Sequence, residues 1–155
     1  MSEHKAMVDW ILKDGAFTDN RYSREHIWKF DGGTEVPASA SPQVVPVPMS
    51  IEEAVDPEEA FVASLSSCHM LWFLSIIAKR GFAVMRYTDN AIGVVGKNSN
   101  GKMAMTSVVL HPRIEFDGDS VPGKDELMQM HHQAHEKCFI ANSVNTDVII
   151  EPVFE

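Results

Sequence analysis

The segment "DPEEAFVASLSSCHMLWFLSIIAKRG", Asp56 to Gly81, constrains the fold more than any other stretch of the chain. Asp56 has the side chain of a helix N-cap, and Pro57 suits the first helical position, where no backbone donor is needed. Glu58 and Glu59 favour the positive end of the helix dipole, Lys79 and Arg80 favour the negative end, and Gly81 fits a C-terminal cap. The signals predict a helix over 57–80, roughly 36 Å long at about 1.5 Å per residue. Beyond Ala60 the segment is apolar on nearly every side, so it needs cover on both flanks and must be a central helix. In its middle sits a thiol, Cys68.

The remaining pattern alternates on the shorter period of strands. "RYSREHIWKFDGG" (21–33) reads as a strand ending in a Gly-Gly turn, with Tyr22, Arg24, His26, Trp28 and Phe30 on one face. "AMVDWILKDG" (6–15) reads as an earlier strand, and "VPASASPQVVPVPMS" (36–50), with four prolines, as an extended surface loop. "FAVMRYT" and "AIGVVGK" are further strands. "NSNG" (98–101) is a hairpin turn, "KMAMTSVVLHPRIEF" (102–116) one long strand, and "TDVIIEPVFE" a last one. A second helix is expected at about 124–140, with Leu127, His131, Ala134 and Cys138 on one stripe. Strands clustered around two helices imply an α+β fold with antiparallel sheets. No repeat or linker divides residues 1–155, which are read as a single domain of ordinary size.

Composition removes several functions. The formal charge is −9 and no basic stripe is present, which argues against a nucleic-acid partner. The most apolar stretch, 70–78, interrupted only by Ser75, is too short to span a bilayer, and the first residues lack a signal pattern, so the expectation is a cytoplasmic protein that does not enter the membrane. Two cysteines in a reducing compartment do not make a structural framework. No phosphate-cradling glycine pattern and no nucleophile elbow around Ser66 or Ser67 occurs, and no cofactor is called for.

Cys68 is therefore open between a small hydrophobe, a metal ligand and a nucleophile. As a nucleophile it needs a fixed cation, because a free thiol with a pKa of about 8.5 is mostly protonated at neutral pH. Arg24, set among aromatics and unable to lose its proton, is the best candidate, and Glu58 could orient it through a bidentate pair. Glu58 precedes Cys68 by ten residues, about 15 Å along a straight helix, so both can meet one arginine only if the chain folds back or a second subunit contributes. Two helices on one sheet could bring Cys68 and Cys138 together although they stand 70 positions apart. A metal site built on His131, His135 and Cys138 competes, although three ligands on one helix close a tetrahedron poorly.

"DPEEAFVASLSSCHM", followed 70 residues after its cysteine by "AHEKCFIANSV", resembles the OsmC/Ohr family of thiol peroxidases. Glu58 and Cys68 keep the spacing between that family's glutamate and its peroxidatic cysteine. Cys138 matches the resolving cysteine, and Arg24, with Arg21 second, matches the arginine beside the reactive thiol. The resemblance spans nearly the whole chain. It implies an intertwined homodimer with active sites at the subunit boundary, and the reduction of organic hydroperoxides to alcohols. It further implies a Cys68 sulfenic acid, a Cys68–Cys138 disulfide, and reduction by a small dithiol, lipoyl-type in the Ohr branch. The chain departs from the family in having Phe139 where proline often follows the second cysteine. A binding module on the same fold, without catalysis, is the alternative expectation.

Overall fold

The structure is a computed structural model that describes residues 1–154. The chain forms two compact units, Met1–Ala60 and Phe61–Glu155, and the division falls within the first turn of the long helix.

In the N-terminal unit, β1 (Ala6–Asp9), β2 (His26–Phe30) and β3 (Glu35–Ala38) form an antiparallel sheet in that order. The sequence pattern extended the second strand back to Arg21, but residues 21–25 lie outside it. Their backbone is drawn elsewhere: the Arg24 amide donates to Met49 O at 2.7 Å and the Trp10 indole donates to Ser23 O at 2.8 Å. Helix α1 (Pro57–Lys79) starts on a reciprocal cap, in which Asp56 Oδ1 accepts the Glu59 amide at 2.8 Å and Glu59 Oε2 accepts the Asp56 amide at 3.3 Å. It ends at Gly81, whose φ of 85° lets its amide reach Ala78 O and the next amide reach Ile77 O.

The C-terminal unit holds two small sheets and a second helix. Strands β4 (Val84–Asp89) and β7 (Pro112–Phe116) pair antiparallel. Strands β5 (Ile92–Lys97) and β6 (Met103–Leu110) form the hairpin whose turn is the Asn98–Gly101 segment, and β8 (Asp147–Ile150) joins β6 in parallel. The architecture is α+β with predominantly antiparallel sheets, and β8 is the exception to the expected pairing. The long strand expected over 102–116 is broken at His111, whose amide leaves the ladder and donates to Asp89 Oδ1 at 2.6 Å, and Pro112 follows without a donor. Asp89 also accepts the Ser66 hydroxyl at 2.5 Å, so one carboxylate ties the bend to α1.

Helix α2 (Lys124–Lys137) stops earlier than the sequence pattern suggested. Cys138 is its C-cap, with φ −68° and ψ 111°, and a short 3-10 turn, Ala141–Ser143, follows. The second half of α1 packs on α2 and the β4–β7 pair through Phe73, Ile77, Leu127, Met130 and Ala134. Its Leu65 packs instead with Val108 and Leu110 of β6. In sequence, Cys68 falls at the seam between these cores. Of the whole helix only Leu65, His69, Phe73 and Ile77 are buried, a stripe at every fourth residue, while Leu71 is 62% exposed. By length and composition alone, α1 is long and apolar enough to cross a membrane, which the count over the stretch 70–78 did not register.

Candidate active site

Cys68 is half-buried on α1 and Cys138 is buried at the end of α2; both thiols are free. The two thiols are close enough to act on each other's ionisation, so the juxtaposition that periodicity left open is present. Burial pushes the Cys138 thiol up to about 11, and the neighbouring Cys68 thiol acts in the same direction, so Cys138 keeps its proton at neutral pH. Two backbone amides oppose this: Ala141 N–H points at the Cys138 sulfur at 3.4 Å, and Ile140 contributes likewise.

Arg24 is half-buried in the N-terminal unit, where three of its five side-chain N–H groups and one face of the guanidinium are engaged. Nη1 donates to Asn20 O at 3.0 Å and to Tyr22 O, Nη2 donates to Asn20 Oδ1 at 3.0 Å, and the guanidinium carbon stands 3.7 Å from the Tyr22 ring centroid. The expected bidentate pair with Glu58 is not formed within the chain. Among the described residues Glu58 has no hydrogen bond or ion pair, and the acidic partner at the helix start is Glu59, through the cap. Arg21, the second arginine candidate, is exposed.

The alternative metal site does not assemble. Among the described residues no three His, Cys, Asp or Glu side chains are disposed to hold a metal ion. The reason lies in a pair the sequence pattern did not reveal. His131 Nδ1 faces His69 Nε2 at 3.0 Å, with both residues 1% exposed and His131 stacked on Phe73 at 4.1 Å. Cys138, off the helix, points its thiol at Cys68 instead. Burial pulls His69 down to about 4 and His131 down to about 3, with each helped by a neighbouring imidazole, so the pair is neutral at physiological pH. One proton lies between the rings, which leaves one outer nitrogen as an unmet donor and the other as an unmet acceptor, and His69 Nδ1 and His131 Nε2 indeed lack partners. The signal was available in hindsight: His69 occupies the same every-fourth-residue stripe as Leu65, Phe73 and Ile77. An open cleft of about 680 Å3 lined by Phe61, Lys97, Asn98, Met105, Thr106 and Asn145 includes neither cysteine.

Residues 51–152 match the family model described as OsmC-like protein. A solved OsmC-like protein of unknown function from Vibrio cholerae is 62% identical, covering 99% of this chain and 100% of that one, with a TM-score of 0.97. The chain belongs to the OsmC family. Organic hydroperoxide resistance proteins from Elizabethkingia anophelis (18% identity, TM-score 0.69, 98% and 94% of the two chains) and from Bacillus subtilis (18%, 0.66, 96% and 98%) share the fold of this OsmC-family chain. No curated protein matches the sequence.

Proposed function

We propose that this OsmC-family chain is a cysteine-based peroxidase that reduces organic hydroperoxides to alcohols. The observation that carries the proposal is the close approach of a half-buried thiol and a buried one, with no disulfide between them. Cys68, the more accessible, attacks one oxygen of ROOH. A sulfur–oxygen bond forms as the oxygen–oxygen bond breaks, the sulfur loses two electrons, and the alkoxide takes a proton and leaves as ROH. Cys138 sulfur then attacks the Cys68 sulfenic acid. The sulfur–sulfur bond forms, the sulfur–oxygen bond breaks, and the Cys138 proton leaves with the hydroxyl as water. A small dithiol, lipoyl-type by family resemblance, returns both thiols by two exchanges.

Arg24 is assigned the stabilisation of the Cys68 thiolate and the polarisation of the peroxide, and Glu58 the orientation of that arginine in the assembled enzyme. A homodimer is part of this proposal. An apolar helix that one chain leaves exposed at Leu71, together with Phe139 at 69% exposure, whose ring meets Trp72 of the same helix, favours cover by a second copy. Residues 1–155 act as one OsmC-like domain, supported by matches that run nearly the full length of both chains. Free, paired thiols and an acidic surface suit a reducing cytoplasm.

The test is a thiol count before and after one equivalent of cumene hydroperoxide, with peroxide consumption followed in parallel. Loss of two thiols per chain, with a Cys68–Cys138 crosslink in the peptide map, is expected, and Cys68→Ser is expected to abolish consumption. Two untouched thiols with the peroxide unconsumed would sink the proposal and leave a binding protein.

A further inference from the structure

Asn20 is, among the described residues, the non-glycine residue with positive φ, at 62°. Asparagine tolerates this left-handed conformation better than most residues, yet it is uncommon enough to ask what it accomplishes. Here it turns two acceptors of one residue toward one guanidinium. The Asn20 carbonyl takes Nη1 of Arg24 at 3.0 Å and its side-chain oxygen takes Nη2 at 3.0 Å. The turn is set locally, since the Asn20 amide closes on Phe17 O at 3.2 Å. Phe17 in turn stacks on Tyr22 at 4.7 Å between centroids, and Tyr22 is the ring against which the Arg24 guanidinium lies.

An arginine has five N–H donors in a planar fork. Two on Nη1 go to the carbonyls of Asn20 and Tyr22, and one on Nη2 goes to Asn20 Oδ1. Among the described residues, the N–H of Nε and the second N–H of Nη2 have no partner. The group is therefore fixed on three donors and one ring face, with two donors remaining.

We propose that Asn20 is the positioning residue of Arg24, holding the guanidinium by a carbonyl and an amide oxygen so that Nε–H and one Nη2–H stay free for an anionic oxygen or sulfur. The inference rests on the role proposed above for Arg24. It assigns within this chain the orienting function that a carboxylate was expected to supply. The neutral amide leaves the full positive charge of Arg24 available, whereas a carboxylate in its place would offset part of it.

The positive φ supplies a clean substitution. Asn20→Gly accepts the same backbone conformation at no steric cost and keeps the carbonyl while removing the whole side chain with its amide oxygen, whereas Asn20→Asp restores an oxygen at the same position. The activity arm follows cumene hydroperoxide reduction with a saturating dithiol. Asn20→Gly is expected to lower kcat/KM by roughly tenfold to a hundredfold, the scale of a misplaced catalytic group, with Asn20→Asp recovering most of the loss. The second arm is independent of activity: the Arg24 Nη resonances, assigned by their disappearance in Arg24→Lys, are expected to be resolved from one another in the wild type, where Asn20 holds both Nη groups, and to collapse through rotation about the Cζ–N bonds in Asn20→Gly. An Asn20→Gly variant with wild-type kcat/KM and unchanged resonances overturns the inference, as does a gain in activity, or an Asn20→Asp variant no better than Asn20→Gly. If the wild type consumes no peroxide, the peroxidase proposal fails and the resonances alone decide the positioning role.

Discussion

The buried His69–His131 pair makes the stability of this protein depend on pH between about 4 and 6.5. Both imidazoles have an ordinary value of 6.5, and the fold holds them down to about 4 and about 3. A depressed histidine favours the folded state while both states are unprotonated, above 6.5. As the pH falls below 6.5 the unfolded chain takes up protons that the folded chain refuses, and stability is lost until the folded values are reached. Each refused proton costs about 1.4 kcal/mol per pH unit, and two are refused together at pH 5.5, so the slope there is about 2.5 kcal/mol per pH unit. Integrated from pH 7 to pH 5 the loss is about 4 kcal/mol, a large part of the total of about 5–15 kcal/mol for an ordinary domain. For an urea dependence of about 2 kcal/mol per molar, the midpoint moves down by about 2 M. The assay is urea unfolding followed by tryptophan fluorescence at pH 7, 6 and 5, at one fixed protein concentration so that any self-association cancels. The double variant His69→Leu/His131→Leu removes both titrating groups and both unmet nitrogens, and its midpoint is expected to lose most of that pH dependence. An unchanged wild-type midpoint between pH 7 and pH 5, or a double variant with the wild-type slope, refutes the assignment.

Two further substitutions probe the packing that sets the cysteine seam. A Cβ on Gly93 would stand 2.5 Å from Val62 Cγ2 and 2.5 Å from Met105 Cε. Met105 can swing away but the β-branched Val62 on α1 cannot, so Gly93→Ala is expected to destabilise by about 1–3 kcal/mol, read as a lower melting temperature. Ser66→Ala deletes the 2.5 Å hydrogen bond to Asp89 while His111 N–H still serves the other carboxylate oxygen. A loss of about 1.5–3 kcal/mol in chemical denaturation is expected, and a variant as stable as the wild type would mean the carboxylate is satisfied without the hydroxyl.

The parts of the fold that local chemistry dictates were legible. Asp56, Pro57 and Gly81 bound α1 as their types require, and Asn98 to Gly101 makes the expected hairpin turn. What escaped was decided by partners distant in sequence. The strand through His111 breaks because its amide finds Asp89, 22 residues earlier, and nothing in the alternation of 102–116 announces that carboxylate. Residues 21–25 alternate like a strand, yet Met49 and Trp10 claim their backbone. At the site, the pairing of Cys68 with Cys138 was only a possibility from helix stripes. The hold on Arg24 was sought in an acidic residue because charge is visible in a sequence, whereas a left-handed asparagine four residues away is not.

The early end of α2 bears on how the two thiols differ. Cys68 sits inside a continuous helix, where the backbone N–H groups around it are committed to the helical ladder. Cys138 stands where that ladder stops, and the chain turns at once into the 3-10 segment Ala141–Ser143. Had α2 run on to residue 140 as its periodicity suggested, the Ala141 N–H would have gone to the carbonyl four residues back, at Lys137, and could not have served a sulfur. Because the helix ends at Lys137, that N–H is directed at Cys138 Sγ at 3.4 Å. Burial and the neighbouring Cys68 thiol keep the Cys138 proton in place at rest, so the resting thiol is held in check. When the proton leaves during attack on Cys68, the negative charge develops beside a donor already oriented toward it. Such a donor lowers the barrier to the second step without loosening the resting state, because its interaction strengthens as the charge appears. In the proposed cycle, a helix stop that looks like a defect in the periodic pattern thus gives Cys138 an oriented donor for its attack on Cys68.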